Sequence, residues 1–357
     1  MPVLSPAPRA LSPLPADVLA GIAAGAGARD AAPAFPREPL ERLADAGALA
    51  LTLPGAASRA DEWAAVRAVA AADGSVGRIY EGHLNAVERL AVAAPEPLRG
   101  AELDAVARGG RRLGVWGADP GPGEGEPARL EPAAEDEWAL AGTKVFCSGA
   151  GGLDRALVGA RHPDGGPPRL AYVDLAGGVT VDRSWYRGGG MRASESHRVE
   201  FDGARVLALL GGPGELVREP WFARDAIRTA AAWAGMADAA AAAALADLAG
   251  RRALDDLRAL AAGRIAAAIA TIDRWFEHAA AAAPDADLRT VAVQLRSAVA
   301  DAGRTVLEEA GRACGSRPFA TGGALDRARR DFELFVLQHR LDPLLARTGH
   351  AAVEAAR

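Results

Sequence analysis

The sequence predicts a mainly α-helical protein with a β domain set between two helical blocks, and three observations predict it. From about Asp17 to Arg99 apolar residues recur three and four apart, as in EPLERLADAGALAL and RADEWAAVRAVAAADG, the spacing of one buried helix face. Near Gly109 the composition changes: glycine and proline become dense, and short β-prone runs follow, among them RRLGVWGA, EWALAGTKVFCSG, RLAYVDL and HRVEFDGARVLAL. After Pro213 long alanine-rich helical stretches take over, from Trp221 to about Leu248, Leu254 to Ala283 and Asp287 to Cys314. The division is therefore 1–109, 110–212 and 213–357. A glycine-rich link, GSRPFATGG, leads to a last amphipathic helix, ALDRARRDFELFVLQHRL, suited to a partner surface.

Composition bounds the function. The chain has 357 residues, 50% of them hydrophobic, enough for a substantial core. Aromatic residues are only 5%, and the run Ala239 to Ala244 points to closely approaching helices. A formal net charge of -5 provides no basic field for a nucleic-acid partner. Cys147 and Cys314 form no CxxC pair, which fits two buried thiols in a reducing compartment and gives no thiolate metal site. The proline-broken N-terminus does not read as a signal peptide, and no stretch of about 18 apolar residues runs without a charge. The expectation is a soluble, cytoplasmic protein without metal or membrane contact.

Several chemistries are excluded by their motifs. There is no GxxxxGK[ST] loop, no HExxH, no GxSxG elbow and no strand followed by GxGxxG. GPGEGE, Gly121 to Glu126, has the wrong spacing and reads as a turn. The informative stretch is GTKVFCSGAGGLDRALVGAR, where a β-run ends in Ser148 and a glycine-rich turn. A hydroxyl donor at such a strand end could stabilise developing negative charge; a surface turn is the plain alternative.

Here the chain resembles the acyl-CoA dehydrogenase superfamily. Gly142, Lys144, Phe146 and Ser148 look like the family's G-x-K-x-W/F-x-T/S segment, which ends a strand against the flavin with its hydroxyl near the reactive ring nitrogen. GVWGADPGPGEG, with Trp116, Ala118, Asp119 and Pro120, resembles its other flavin-facing loop, whose backbone amides can meet the flavin's edge. Gly190, Arg192, Ser194, Phe201, Asp202 and Val206 resemble the G-x-R-x-S segment and strand closing the family's β domain. Asp225 and Arg228 are similar to its D-x-x-R, where the arginine lies near the acyl-CoA tail; an i, i+3 pair at an exposed helix start is the other reading. Gly315, Ser316 and Phe319, with Arg327, Arg330 and Asp331, resemble the segment that receives the adenosine end of FAD from a neighbouring subunit and the R-D pair after it.

The resemblance implies a middle β-barrel, a C-terminal four-helix bundle, and a cleft between them for a planar cofactor. It implies an FAD-dependent oxidoreductase acting on the CH-CH group of an acyl-CoA or related thioester. A homodimer or homotetramer is expected, with an electron-transfer flavoprotein as electron partner.

Two departures open other readings. The family's glutamate base, eight residues after the R-D aspartate, is here His339, and the alternative base position falls near Ile227. Histidine titrates near neutrality, so His339 is a candidate acid or base, or else a helix cap. The R-x-x-F-G motif is also missing, leaving Arg251 or Arg252 to meet the FAD pyrophosphate. Flavin-dependent monooxygenases of the same fold borrow reduced flavin, FMN included, from a flavin reductase and lack the glutamate. The chain resembles them at DGSVGRIYEGHLN, where His83 takes the place of a flavin-side histidine, and at His339. A flavoprotein-like subunit without turnover is the third reading.

Overall fold

The computed structural model describes residues 13–134, 137–283, 286–338 and 341–357. His339 lies outside the described residues. Five helices come first: α1 (Ala16–Ala31), α2 (Arg37–Asp45), α3 (Arg59–Ala72), α4 (Gly74–Ala93) and α5 (Leu98–Ala107). Ser58 starts α3 by accepting from the Asp61 N–H, and Asp73, the sole residue between α3 and α4, accepts from the N–H groups of Ser75 and Val76. These caps satisfy helix-end donors and turn the chain sharply.

Seven strands follow: β1 (Leu113–Trp116), β2 (Arg129–Ala134), β3 (Glu137–Cys147), β4 (Arg155–Ala160), β5 (Arg169–Asp174), β6 (Val179–Asp182) and β7 (His197–Leu210). The sheet order is β1-β4-β5-β7-β3-β2, with β6 also on β7. Of the strand pairs among the described residues, β1 with β4 is the parallel one. The long β7 holds the sheet together, pairing β3 and β6 through its first half and β5 through its second.

The expected barrel is not closed. Among the described residues its two flanks share a backbone bridge at Arg161, which exchanges backbone hydrogen bonds with Ala128 and Leu130. Pro132 on β2 and Pro163 beyond β4 lack the N–H a ladder needs, so the seam cannot extend.

The second helical block contains α6 (Trp221–Ala249), α7 (Asp256–Ala280), α8 (Arg289–Cys314), α9 (Arg317–Ala320), α10 (Ala324–Phe335) and α11 (Asp342–Ala355). It is not a self-contained four-helix bundle. α6 packs on α8 and α10 and also on α3 and α4 of the first block, because its alanine-rich surface lets helices approach closely and its Asp225, Arg228 and Asp238 pair with α3 and α4. Gly235 permits the α3 contact: a Cβ there would stand 2.1 Å from the Arg67 carbonyl oxygen. Among the described residues α6 alone is long and apolar enough to cross a membrane, yet 72% of its most apolar window is buried inside the protein. One hydrophobic core accordingly runs from α1 through the sheet into α10.

Candidate functional site

β3 ends in a distortion. Its pairing with β7 is irregular between Lys144 and Cys147, and Phe146 lies in the left-handed region at φ 52°. The bulge turns the Phe146 ring outward, 54% exposed, edge-on to Trp185 at 4.8 Å. Two more non-glycine residues take positive φ, Met191 at 53° and Glu195 at 48°. Both flank Ser194, whose carbonyl accepts from the Gly149 N–H just past the end of β3. Such conformations cost about 1–3 kcal/mol each and cluster where a site demands them.

Between these strained points three serines form a directed chain. Ser194 donates to the Met191 carbonyl at 2.7 Å, so it must accept from Ser196 at 2.7 Å. Ser196 in turn accepts from Ser148 at 2.9 Å. Arg78, on α4, donates from Nε to Ser148 Oγ at 3.1 Å. The terminal carbonyl therefore sets the direction of every bond. Ser148 has committed its proton to Ser196 and, among the described residues, retains one free lone pair, so its hydroxyl can only accept from a further group; the donor role expected above is corrected.

The other residues singled out above divide sharply. Asp119 accepts from Lys144 Nζ at 2.6 Å, and the Ala118 carbonyl accepts from the Val145 N–H. This bonds the loop to the same end of β3. The backbone N–H groups of Ala118 and Asp119 donate to no protein acceptor among the described residues. Trp116 is no cofactor contact: its buried indole donates to the Ser148 carbonyl at 3.0 Å and packs near Phe201. It holds the strand end in place.

His83 is also corrected. Nδ1 accepts from the Leu113 N–H at 3.0 Å while Nε2 donates to the Leu49 carbonyl at 2.9 Å. Burial pushes its pKa down to about 4. A neutral imidazole bonded at both nitrogens joins α4 to β1 and has no proton to offer.

Asp225 and Arg228 are neither at a tail-binding surface nor exposed. Arg228, fully buried, donates to Glu62 at 2.8 Å, Glu88 at 2.9 Å and Asn85 at 3.2 Å, and Asp225 accepts from Arg89 at 2.7 Å. The pair locks α6 onto α3 and α4. Arg251 does meet the Gly315 region: it pairs with Asp247 at 2.7 Å, and its Nη2 lies 3.4 Å from the Cys314 carbonyl, directly before Gly315 and Ser316. No hydrogen bond or ion pair among the described residues joins this group to Ser148.

Sequence reasoning missed Arg78 and Ser196. Arg78 ties the serine chain to the second helical block, since its guanidinium lies over the Phe335 ring at 5.3 Å. The Met191 N–H donates to Asp331 on α10, and Arg330 reaches the Gly189 carbonyl and Asp30. The end of β3 thus packs against the C-terminal helices. Burial pushes the Asp331 carboxyl up to about 7, with Asp73 and Asp30 adding to the rise. A carboxyl whose folded pKa is raised binds its proton more tightly when folded, so this contribution is greatest in acid and falls as pH rises from about 4 towards 7. Asp331→Asn is expected to flatten that fall and raise the melting temperature at pH 8 by a few degrees, on the order of one pKa unit or more of lost penalty. Thermal melts of both proteins from pH 4 to pH 8 check it.

No protein-family model matches the chain. Dibenzothiophene monooxygenase of Rhodococcus erythropolis is 28% identical over 165 residues, which cover 43% of this chain and 38% of that protein. The match therefore spans well under half the length of that relative. Among solved structures, FMN-bound TdsC of Paenibacillus sp. A11-2, a dibenzothiophene monooxygenase, superposes with a TM-score of 0.84 at 21% identity, covering 95% of this chain and 96% of that one. Methanesulfinate monooxygenase MsuC of Pseudomonas fluorescens superposes with a TM-score of 0.81 at 21% identity and 95% coverage of each chain. With the helix, sheet and helix order above, these likenesses show that the chain has the fold of those flavin-binding monooxygenase structures.

Proposed function

We propose that the chain is the oxygenase of a two-component flavin-dependent monooxygenase, taking reduced FMN or FAD from a separate reductase and oxygenating a small substrate. The direction of the serine chain carries this reading. Reduced flavin has a hydrogen on the central ring nitrogen that oxidised flavin lacks. Ser148, with its proton held by Ser196 and a lone pair free, suits the reduced form. The likeness to an FMN-bound monooxygenase over nearly the whole chain supports it further.

The donor set fits a flavin. Phe146 offers an exposed aromatic edge beside the serines, Ala118 and Asp119 offer unused backbone N–H groups, and Arg78, itself paired with Glu81, holds the Ser148 hydroxyl in place. When bound, the reduced flavin supplies two electrons to oxygen, one atom passing to substrate and the other leaving as water. The chain's own residues bind and orient: Trp116 and Lys144 hold the strand end and its loop, and Asp331 holds Met191 and hence the serines. Gly315, Ser316 and Arg251 are reserved for the far end of a flavin from a second subunit. The exposed leucines 245, 254, 257 and 260 nearby in sequence to Arg251 are a surface a second copy would cover. Acyl-CoA dehydrogenation is the weaker reading, since Arg228 is sealed inside, Asp225 is taken up by Arg89 and Arg228, and Ile227 cannot take a proton.

Anaerobic titration tests the proposal. Reduced FMN or FAD is expected to bind about ten-fold more tightly than the oxidised form, equivalent to one good hydrogen bond. Ser196→Ala frees the Ser148 proton and should bring the two affinities within about two-fold. No binding of either form at micromolar concentration sinks the function. Anaerobic bleaching of bound FAD by an acyl-CoA would restore the dehydrogenase reading.

A further inference from the structure

Three arginines are almost wholly buried among the described residues: Arg89, Arg228 and Arg296. Arg89 donates to the Glu215 and Leu216 carbonyls and to Asp225; Arg228 meets Glu62, Glu88 and Asn85. Arg296, on α8 and 3% exposed, is different. Among the described residues its Nε and Nη2 have no hydrogen-bond partner, and the Trp233 ring on α6 lies 5.0 Å away. The indole Nε1 of Trp233, fully buried, is also without a partner among the described residues.

A buried guanidinium without a counter-charge is strongly disfavoured. Burial pushes its pKa down to about 10 despite the charge of Glu81. Glu81 is not its partner, because its oxygens already accept from Arg78 and Asn85. The two idle nitrogens are also the pair that forms the side-on fork of an arginine. Elsewhere in this protein that same pair holds a carboxylate: Arg67 Nε and Nη2 grip the two oxygens of Asp238 at 2.7 and 3.0 Å. Around Arg296 the acceptor that would complete the fork is supplied by no residue described.

We infer that Arg296 and Trp233 form an oxyanion-binding site, and that the substrate is a small organic anion with a carboxylate or sulfur-oxyanion head. Two oxygens of such a head would accept from the Arg296 fork and one from the Trp233 indole, a set of donors with no acceptor among them. The position agrees with a substrate role. Trp233 stands edge-on to Phe335 at 6.2 Å, Phe335 lies under Arg78, and Arg78 bonds Ser148. A line of side-chain contacts thus runs from Arg296 through Trp233, Phe335 and Arg78 to Ser148. The substrate assignment rests on the function proposed above; the anion site itself does not.

Flavin-free protein provides the test. Sodium methanesulfonate and sodium benzoate, compared with sodium chloride at equal ionic strength, should raise the melting temperature saturably by about 2 °C at ten times the dissociation constant. Arg296→Met should melt higher than wild type without anion, because an unpaired charge is gone, and should not respond to either salt. Arg296→Lys, folded and charged but without the fork, should respond with affinity reduced about ten-fold. Wild type unresponsive to both salts, or Arg296→Met as responsive as wild type, overturns the site. So does an Arg296→Met protein that melts below wild type. Flavin titration of the same samples keeps the two ideas apart: anion response without flavin binding removes the function and leaves the site, and flavin binding without anion response does the reverse.

Discussion

Arg228→Ala is expected to destabilise the protein by about 3–5 kcal/mol, the cost of stripping the partner from buried carboxylates. The guanidinium is fully buried and joins α6 to Glu62 on α3 and to Glu88 and Asn85 on α4. Glu88 would keep Arg224 and Asp225 would keep Arg89, but Glu62 would lose its guanidinium. Burial already raises the Glu62 carboxyl, and Arg228 is the largest influence lowering it. Without Arg228 that group must take a proton or remain charged in an apolar place, so the loss should be larger at pH 8 than at pH 5. Urea denaturation at both pH values measures it, and Glu62→Gln added to Arg228→Ala should recover part of the loss at pH 8. Equal stability of Arg228→Ala and wild type would mean that the network does not bind the two helical blocks together.

The second large effect concerns backbone contact. A methyl group on Gly190 would stand 2.0 Å from the Arg330 carbonyl oxygen and 2.9 Å from the Asp331 nitrogen, both backbone atoms of α10. Neither can yield alone, so Gly190→Ala must push the loop carrying Met191, Ser194 and Ser196 off α10. We expect about 2–3 kcal/mol of destabilisation from overpacking. Loss of the Met191 bond to Asp331 should weaken reduced-flavin binding about ten-fold or more. Gly189→Ala is the control, since its methyl would meet only Arg330 Cδ at 3.9 Å. Urea melts and flavin titrations of the two variants should separate them clearly; identical behaviour would show that the close approach constrains nothing.

The candidate site was partly legible. The segment ending at Ser148 could be read because a β-run, a small hydroxyl and a glycine turn are adjacent in sequence. His83 pointed to the correct helix and the wrong face. Arg78 lies five residues before it on α4, about 140° around the axis, and that is the face turned to the serines. The acid and base of Asp225 and Arg228 have one spacing whether a helix start is exposed or sealed, so only packing could tell them apart. The open sheet was equally hidden, because closure depends on how two distant flanks meet at Arg161.

Periodicity and turn chemistry, which are local properties of the chain, determined the order of helices and strands and the strand end that carries Ser148. Tertiary structure alone decided that Ser148 is an acceptor, since its direction is imposed by Ser196, Ser194 and the Met191 carbonyl, 43 to 48 residues further along. It alone decided that Arg296 and Trp233 face each other without an acceptor. Hydrogen-bond direction and the burial of charge belong to groups brought together from distant parts of the chain, and no local pattern records which of them will meet.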